Sequence, residues 1–272
     1  MSPVPRAIWS GSISFGLVNV PVKLYSAVSH KDVRFHQLHG VDGGRVRQLR
    51  VCSADGEEVP YDEIVKGYEV SPSRYVTIAP DELESLDPKA GRTIDIEEFV
   101  GLDEIDPIYY DHPYYLLPDR HAEKAYALLL DAMGEAQRVG IARFVMRTKQ
   151  YLAALRPAGN VLLLSTLLYA DEVVPQEELD EIPREEVVTN ERELTMARQL
   201  IESLSAPFEP GKYRDDYRER VLDLIARKDA GEEVVTHVAA EGPSPVVDLM
   251  AALEASLEAT RAARAAADEA AS

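Results

Sequence analysis

The 272-residue sequence has a single cysteine, no long apolar run and no apolar leader. With only Cys52, an intrachain disulfide and a zinc site built from cysteines of one chain are both excluded. The longest apolar stretch, residues 161–170, is shorter than the roughly 18 residues a membrane span requires, so we interpret it as a buried strand. The first 12 residues lack the apolar segment of a secretory signal. Together these absences predict a cytoplasmic protein without a membrane partner.

Sequence patterns of catalysis are also missing. There is no glycine-rich phosphate loop followed by Lys-Ser/Thr and no Gly-x-Ser-x-Gly turn that would present a nucleophile. His36 and His39 lie near Cys52, but the surrounding sequence is not typical of a helix that would place both rings on one face. We interpret them as structural or surface histidines. A metal-dependent enzyme using these histidines and nearby acids stays open as an alternative.

Negative charge dominates the chain, but it is unevenly distributed. The formal net charge is −19, which at first sight argues against nucleic acid as a partner. Residues 1–50 and residues 136–170 nevertheless carry +5 each, whereas residues 51–135 carry −15 and residues 171–272 carry −14. A binding site responds to its local potential and not to the net charge. The two basic segments are therefore candidate binding surfaces, unless they are merely solvated faces.

The first two thirds of the chain have the alternation of strands. Val18, Val20, Val22 and Leu24 alternate with polar residues, and the phase slips by one beside Gly16, which indicates a bulge or a tight bend. Further strands are predicted at 74–79, 92–100, 112–117 and 138–146, with a hairpin over 150–169. One helix, with Asp119 as its predicted N-cap, interrupts them. This pattern predicts a barrel or sandwich over roughly residues 6–175.

Beyond Pro175 the sequence predicts helices. Asn190 and Glu193 have the spacing of a capping box at the start of one helix, and a second is predicted near 213–229. Gly242, Pro243 and Pro245 indicate a linker over 232–245. After the linker, five apolar residues at helical spacing form a tail stripe that could dock on a partner or pack on its own core: Val246, Leu249, Met250, Leu253 and Leu257.

Basic residues at strand-like spacing form the candidate binding site. Arg45 and Arg47 are two residues apart, as are Arg147 and Lys149, so on a strand each pair would project from one face. Such rows can follow a phosphate backbone, and no helix carries the side chains that read bases in a major groove. We therefore predict backbone contacts from nine residues: Lys23, Lys31, Arg34, Arg45, Arg47, Arg50, Arg143, Arg147 and Lys149.

A cluster of tyrosines is a second candidate. Aromatic side chains on strands can stack on unpaired bases, as on single-strand binding platforms. Strand residues of this kind also pack in cores and interfaces, and we interpret the cluster in that way. Its members are Tyr109, Tyr110, Tyr114 and Tyr115.

Several segments of the sequence, taken in order, have the pattern of a known protein family. The first is RAIWSGSISFGLVNVPVKLYSA at 6–27. The others are RFHQLH at 34–39, EIVKGYE at 63–69, IDIEEFV at 94–100, EIDPIYYDHPYYLLP at 104–118, EKAYALLLDAM at 123–133, RTKQYLAALRP at 147–157, TLLYADEV at 166–173 and ELTMARQLIESL at 193–204. Residues 6–27 resemble the N-terminal signature of bacterial Ku, the DNA-end-binding family of non-homologous end joining. The matches to this family run in order to about residue 230 and are much more specific together than any one motif.

The resemblance implies a mixed β+α fold: a Ku-type β-barrel with a bridging strap over 1–175, a helical arm over 176–231, and a linker with a short helical tail over 232–272. It implies a ring-shaped homodimer that threads onto double-stranded DNA ends without regard to sequence. It also implies a protein with no catalytic activity and no cofactor, associated with the nucleoid, that recruits and stimulates an ATP-dependent DNA ligase.

The sequence departs from the family pattern at two places. Family members often have a Cys-x-x-Cys pair after the basic strand, but here Asp55 replaces the second cysteine, so we expect no metal. Some members end in a lysine-rich tail, whereas residues 258–272 carry a net −1 here. An acidic protein–protein scaffold with no role on DNA is the other alternative function, motivated by the net charge and the amphipathic C-terminal helices.

Overall fold

The computed structural model describes residues 6–82, 92–147, 149–180, 182, 190–232, 252–260 and 262. The chain divides into two compact units. Residues 1–31 and 35–178 form the barrel unit, and residues 32–34 and 179–272 form the helical unit. Within the described ranges, no helix combines the length and apolar character needed to cross a membrane.

The described part of the barrel unit contains nine strands, and seven of them close into a barrel. Their bounds are β1 (Trp9–Phe15), β2 (Val18–Ser26), β3 (Lys66–Ser71), β4 (Arg74–Ile78), β5 (Thr93–Val100), β6 (Tyr110–Pro118), β7 (Val139–Met146), β8 (Lys149–Ala158) and β9 (Val161–Leu167). The barrel order is β1-β2-β6-β9-β8-β7-β5, and β3 pairs only with β4. Strands β1 and β5 close the barrel in parallel, whereas the other neighbours are antiparallel. The predicted mixed β+α class with a barrel is confirmed.

Two-residue turns join four of the strand pairs: β1–β2, β3–β4, β7–β8 and β8–β9. Phe15 pairs with Val18 across a two-residue turn in which Gly16 has φ +60°, so the predicted bend at this glycine is confirmed. The predicted hairpin over 150–169 is also confirmed, with Gly159 at φ +60° between β8 and β9. Two-residue hairpin turns favour positive φ because it matches the twist of the flanking strands. Glycine adopts this conformation without the steric cost of a Cβ atom.

The alternating apolar side chains of β2 point into the barrel core. Ile13 of β1 and Val20, Val22 and Leu24 of β2 are fully buried, as the period-two pattern predicts. Pro21 is tolerated within this strand because the β2–β6 ladder begins one residue later, at Val22. Other fully buried residues of the same core come from the remaining strands: Ile94, Leu116, Leu155, Leu162 and Leu164.

Helix α1 (Glu123–Ala136) packs against the barrel core through one face. Tyr126, Leu129 and Met133 are its buried side chains. The Tyr126 hydroxyl donates to the carbonyl oxygen of Leu116 at 2.6 Å and accepts from the backbone N–H of Leu162 at 2.7 Å. It therefore bridges β6 and β9 from inside the core.

Asp119 does not cap α1. The helix begins at Glu123, and its N-cap residue, Ala122, offers no side-chain hydrogen bond. The prediction of Asp119 as the cap is therefore wrong. Its carboxylate instead accepts from Lys23 at 2.5 Å and from the backbone N–H of Arg120 at 2.8 Å. The Asp119 carboxylate thus pairs with Lys23, which is 96 residues away in the sequence, and does not accept from the first N–H groups of the helix.

A long excursion between β2 and β5 lies outside the barrel. We call residues 35–78 the strap. It comprises two irregular loops, each held by one isolated bridge (Leu38 with Arg45, and Val51 with Glu58), followed by the β3–β4 hairpin. None of its residues is buried, although it carries large apolar side chains such as Phe35 (71% exposed) and Val65 (68% exposed). The strap therefore has no core of its own within the chain.

The helical unit contains two amphipathic helices, α2 (Glu191–Leu204) and α3 (Asp216–Asp229). Asn190 caps α2 by accepting from the N–H of Arg192 at 2.9 Å, which confirms the predicted cap. Asp215 caps α3 in the same way, through the N–H of Arg218. Neither helix has a buried residue.

Part of the C-terminal tail is described. Residues 252–260 are helical, and Leu257 is 8% exposed while Leu253 is half-buried. The Glu254 carboxylate lies 3.6 Å from Arg192 of α2. Three members of the predicted tail stripe, Val246, Leu249 and Met250, lie outside the described residues.

Candidate nucleic-acid interface

Three of the predicted contacts lie on the strap. Arg45 and Arg47 were expected on one strand face, but residues 46–50 form no strand, and Arg45 sits in an isolated bridge. That expectation is wrong because the segment is held by only a few backbone bonds, such as that from the N–H of Val46 to the carbonyl of Gln37 at 3.0 Å. The spacing of the two arginines therefore does not fix the direction of their side chains.

The strap arginines remain open to an anion. Arg45 contacts the Nδ1 atom of His36 at 3.0 Å, and the Arg50 guanidinium lies 5.3 Å from the centre of the Tyr61 ring. Within the described ranges, neither these two nor Arg47 forms an ion pair with a carboxylate. All three are exposed. Their positive charge is consequently not neutralised by any carboxylate among the residues that the structure describes.

Three predicted residues of the barrel are already paired with acids. Arg143 makes a two-pronged contact with Glu97, at 2.7 and 2.8 Å, and this contact raises the pKa of Arg143. Lys23 holds the pKa of Asp119 below its usual range through their hydrogen bond. Lys149 lies 3.8 Å from Glu172. A phosphate would have to compete with these carboxylates, so these residues are weaker candidates than the strap arginines.

Arg147 lies in a turn and not on a strand. Met146 pairs with Lys149, which leaves Arg147 at φ +62° in the two-residue connection between β7 and β8. The expectation that Arg147 and Lys149 share one strand face is therefore wrong, since the chain reverses direction between them. The turn nevertheless keeps Arg147 exposed.

A cleft beside this turn contains an arginine that sequence reasoning missed. Arg92 and Arg147 both line a cleft of about 460 Å³, together with Trp9, whose indole N–H donates to the carbonyl of Val145 at 3.0 Å. Arg92 belongs to the segment of charge −15, so counting charge along the chain concealed it. Its position directly before β5 is the signal that could have revealed it, because strand ends meet at barrel rims.

The remaining two predicted residues precede the strap. Lys31 is exposed and belongs to the barrel unit, whereas Arg34 is exposed and groups with the helical unit. Arg34 is thus assigned to a different unit from the other eight predicted residues. Strand β2, which carries Lys23, is separated from β8 by β6 and β9 in the barrel order.

The tyrosine cluster contributes mostly to the core. Tyr109 and Tyr110 pack against a small buried cluster around Val139, and Tyr114 packs against the main core. Burial raises the pKa of both Tyr110 and Tyr114. Tyr115 is 41% exposed. The preference for packing over base stacking is confirmed for the first three.

The histidines have local partners. His39 contacts Asp42 at 2.9 Å; the pKa of this carboxyl is lowered, first by the backbone N–H of Gly44 and then by His39. Asp55 accepts from the N–H of Glu57 at 2.9 Å, within the turn that follows Cys52. In the described part of the chain, no three His, Cys, Asp or Glu side chains are placed to hold a metal ion.

Comparison with known proteins gives consistent matches. The family model described as the Ku70/Ku80 beta-barrel domain matches residues 14–196. A protein from Anaeromyxobacter sp. (strain K), named non-homologous end joining protein Ku, is 54% identical over 94% of this chain and 86% of its own length. Proteins with the same name from Heliobacterium modesticaldum and Archaeoglobus fulgidus are 45% and 43% identical, each over 94% of this chain and over 92% and 100% of their own lengths.

Proposed function

The chain belongs to the Ku family of non-homologous end joining proteins, and on that premise we propose that it binds double-stranded DNA ends. Family membership makes it a DNA-repair protein and not an enzyme. The match over 94% of the chain is the observation that carries this proposal. It is tested by whether a duplex with free ends binds and the same duplex closed into a circle does not.

The distribution of charge supports binding through the phosphate backbone. The strap presents Arg45, Arg47 and Arg50 on an exposed segment, and the cleft beside the β7–β8 turn presents Arg92 and Arg147. These arginines place positive charge locally, although the chain has a net charge of −19. Contacts to phosphates fix position without reading bases, so binding is independent of sequence. Acidic surface elsewhere repels DNA and leaves the basic segments as the attractive path.

A ring-shaped homodimer is the assembly that we propose. The strap has no buried residue, and α2 and α3 have none either. Ile201 and Leu204 of α2 are 67% and 64% exposed, and Tyr217 of α3 is 72% exposed. Apolar surface of this extent marks an interaction site, and a second copy of the chain would cover the same faces on both protomers.

We expect light scattering at micromolar concentration to give twice the chain mass of 30.2 kDa. Ile201→Asp should shift the mass towards that of one chain, because it places a charge on the apolar face of α2. Gln199→Asp, on an exposed position of the same helix, is the matched control and should leave the dimer intact. A mass of one chain for the unmodified protein contradicts the proposal.

We also propose that the protein recruits and stimulates an ATP-dependent DNA ligase through its tail. Leu253 and Leu257 belong to the helix over 252–260, and Leu257 is buried. Because Leu257 is buried, the test of docking substitutes the earlier members of the stripe. Leu257 itself is left unchanged, so that a loss of ligase stimulation is not caused by a loss of stability.

Deleting residues 245–272 should preserve affinity for DNA ends and reduce ligase stimulation, because the apolar stripe is lost while the basic segments remain. A triple variant, Val246→Ser, Leu249→Ser and Met250→Ser, should have the same effect without removing Leu257. Ligation rates with the cognate ligase, measured at saturating DNA binding, give the readout. Undiminished stimulation by both variants would place the ligase contact elsewhere.

A further inference from the structure

An apolar groove lies on the barrel unit between α1 and the turn that joins β1 to β2. Phe15 and Phe99 form one wall, with their rings edge to face at a centroid distance of 5.9 Å. Side chains of α1 form the opposite wall. The groove encloses about 350 Å³, and its principal lining residues are Phe15, Val18, Phe99, Leu128, Met133 and Arg138.

The groove exposes a contiguous set of apolar side chains. Leu128 is 70% exposed, Val18 45%, Phe15 43% and Phe99 39%. Single apolar residues are common on protein surfaces, but neighbouring ones that line the same concave surface mark an interaction site. These residues belong neither to the strap nor to α2 and α3, the elements through which we propose that DNA and the second protomer bind.

The charge at the groove is positive and unpaired. Arg138 lines the groove and also lines a neighbouring cleft of about 560 Å³, to which Arg156 contributes. Neither guanidinium forms an ion pair within the described ranges, and Arg156 reaches only the carbonyl of Pro157, at 3.5 Å. Asp103 lines the second cleft but pairs with neither arginine.

We propose that this groove binds a peptide segment of another protein that combines bulky apolar side chains with a carboxylate. The apolar side chains fill the space between Phe99 and Leu128, and the carboxylate pairs with Arg138. A guanidinium can form two parallel hydrogen bonds with a carboxylate, which gives both energy and orientation. Burial in an apolar groove strengthens that pair, because less water screens it.

The lining argues against the two other occupants. A DNA backbone presents phosphates and sugars, and it would leave the Phe15, Phe99 and Leu128 side chains without apolar partners. A second copy of the chain is already accommodated by the strap and the helical unit in the proposed dimer. The proposal extends beyond end binding, because it assigns the barrel a protein partner that does not depend on DNA.

A panel of labelled 12-residue peptides tests the proposal. Each carries two leucines and one glutamate in an alanine–serine background, with the spacing varied across the panel, and a parallel panel replaces the glutamate with lysine. Fluorescence anisotropy with the full-length protein should show binding of at least one glutamate peptide and of none of the lysine peptides. Leu128→Asp should weaken that binding at least tenfold and leave affinity for DNA ends unchanged.

Reversing the charge of Arg138 distinguishes a specific ion pair from nonspecific hydrophobic binding. Arg138→Glu should reverse the preference, so that the lysine version of the best peptide binds more tightly than the glutamate version. Leu17→Asp is the control, since Leu17 is fully exposed but does not line the groove, and it should bind the peptide normally. Failure of every glutamate peptide, displacement by a DNA duplex, or a change of oligomeric state in Leu128→Asp would each overturn the proposal.

Discussion

Reversing the charge of Arg45 and Arg47 together is expected to weaken DNA-end binding several hundredfold at 0.15 M salt. The variant Arg45→Glu, Arg47→Glu removes two strap cations per chain and four per homodimer. Each phosphate that is neutralised contributes about 0.9 to the slope of log affinity against log salt, which corresponds to roughly fivefold in affinity at 0.15 M. The salt slope should therefore decrease by about 3.6. The loss should be equal for duplexes of unrelated sequence.

A matched variant distinguishes local contacts from net charge. Arg120→Glu, Lys124→Glu changes the net charge by the same amount, but both residues are exposed and lie outside the strap and outside the two basic segments. It should retain most of the affinity for DNA ends, and both variants should remain dimeric in light scattering. Affinity that is unchanged in the strap variant would mean that Arg45 and Arg47 face away from DNA. Equal losses in both variants would mean that overall charge, and not the strap, controls binding.

Replacing Tyr126 with phenylalanine is expected to lower the free energy of unfolding by about 2–6 kcal/mol. The hydroxyl joins the carbonyl of Leu116 to the N–H of Leu162, and all three groups are buried. Removing it leaves one backbone acceptor and one backbone donor without partners. Each buried group left unsatisfied costs about 1–3 kcal/mol. Urea unfolding, followed by circular dichroism, measures the change as a shift in midpoint at constant slope.

Tyr110 provides the opposite case in the same barrel. Its hydroxyl is buried and makes no hydrogen bond within the described part of the chain. Tyr110→Phe should therefore leave the unfolding free energy unchanged or raise it, because an unsatisfied polar group is removed. If Tyr110→Phe destabilises the protein as much as Tyr126→Phe, the hydrogen bonds of Tyr126 are not the reason for the larger loss.

Regular strands and helices could be predicted because their residues repeat with the period of the element. Val20, Val22 and Leu24 alternate in sequence and point into the barrel core. Asn190 caps α2 because its side-chain oxygen accepts a hydrogen bond from the N–H of Arg192, two residues later. These features depend on neighbours within a few residues, and the composition of the segment is sufficient to predict them.

The candidate site was harder to predict because it depends on distant pairs. Glu97 neutralises Arg143 from 46 residues away, and Asp119 pairs with Lys23 from 96 residues away. Neither acid follows from the spacing of the basic residues. Arg92 was missed for the same reason, since its relation to Arg147 exists only when the barrel has closed. The strap lacks the regular strand that the spacing of Arg45 and Arg47 suggests.

The proposed function requires that the protein bind only where a duplex has a free end. This requirement is measured by comparing a linear duplex with a covalently closed circle of identical sequence and length, at equal concentration and salt. We expect stable binding to the linear form, weak binding to the circle, and recovery of binding when a restriction enzyme opens the circle. Equal affinity for the linear and closed forms would contradict the proposed function.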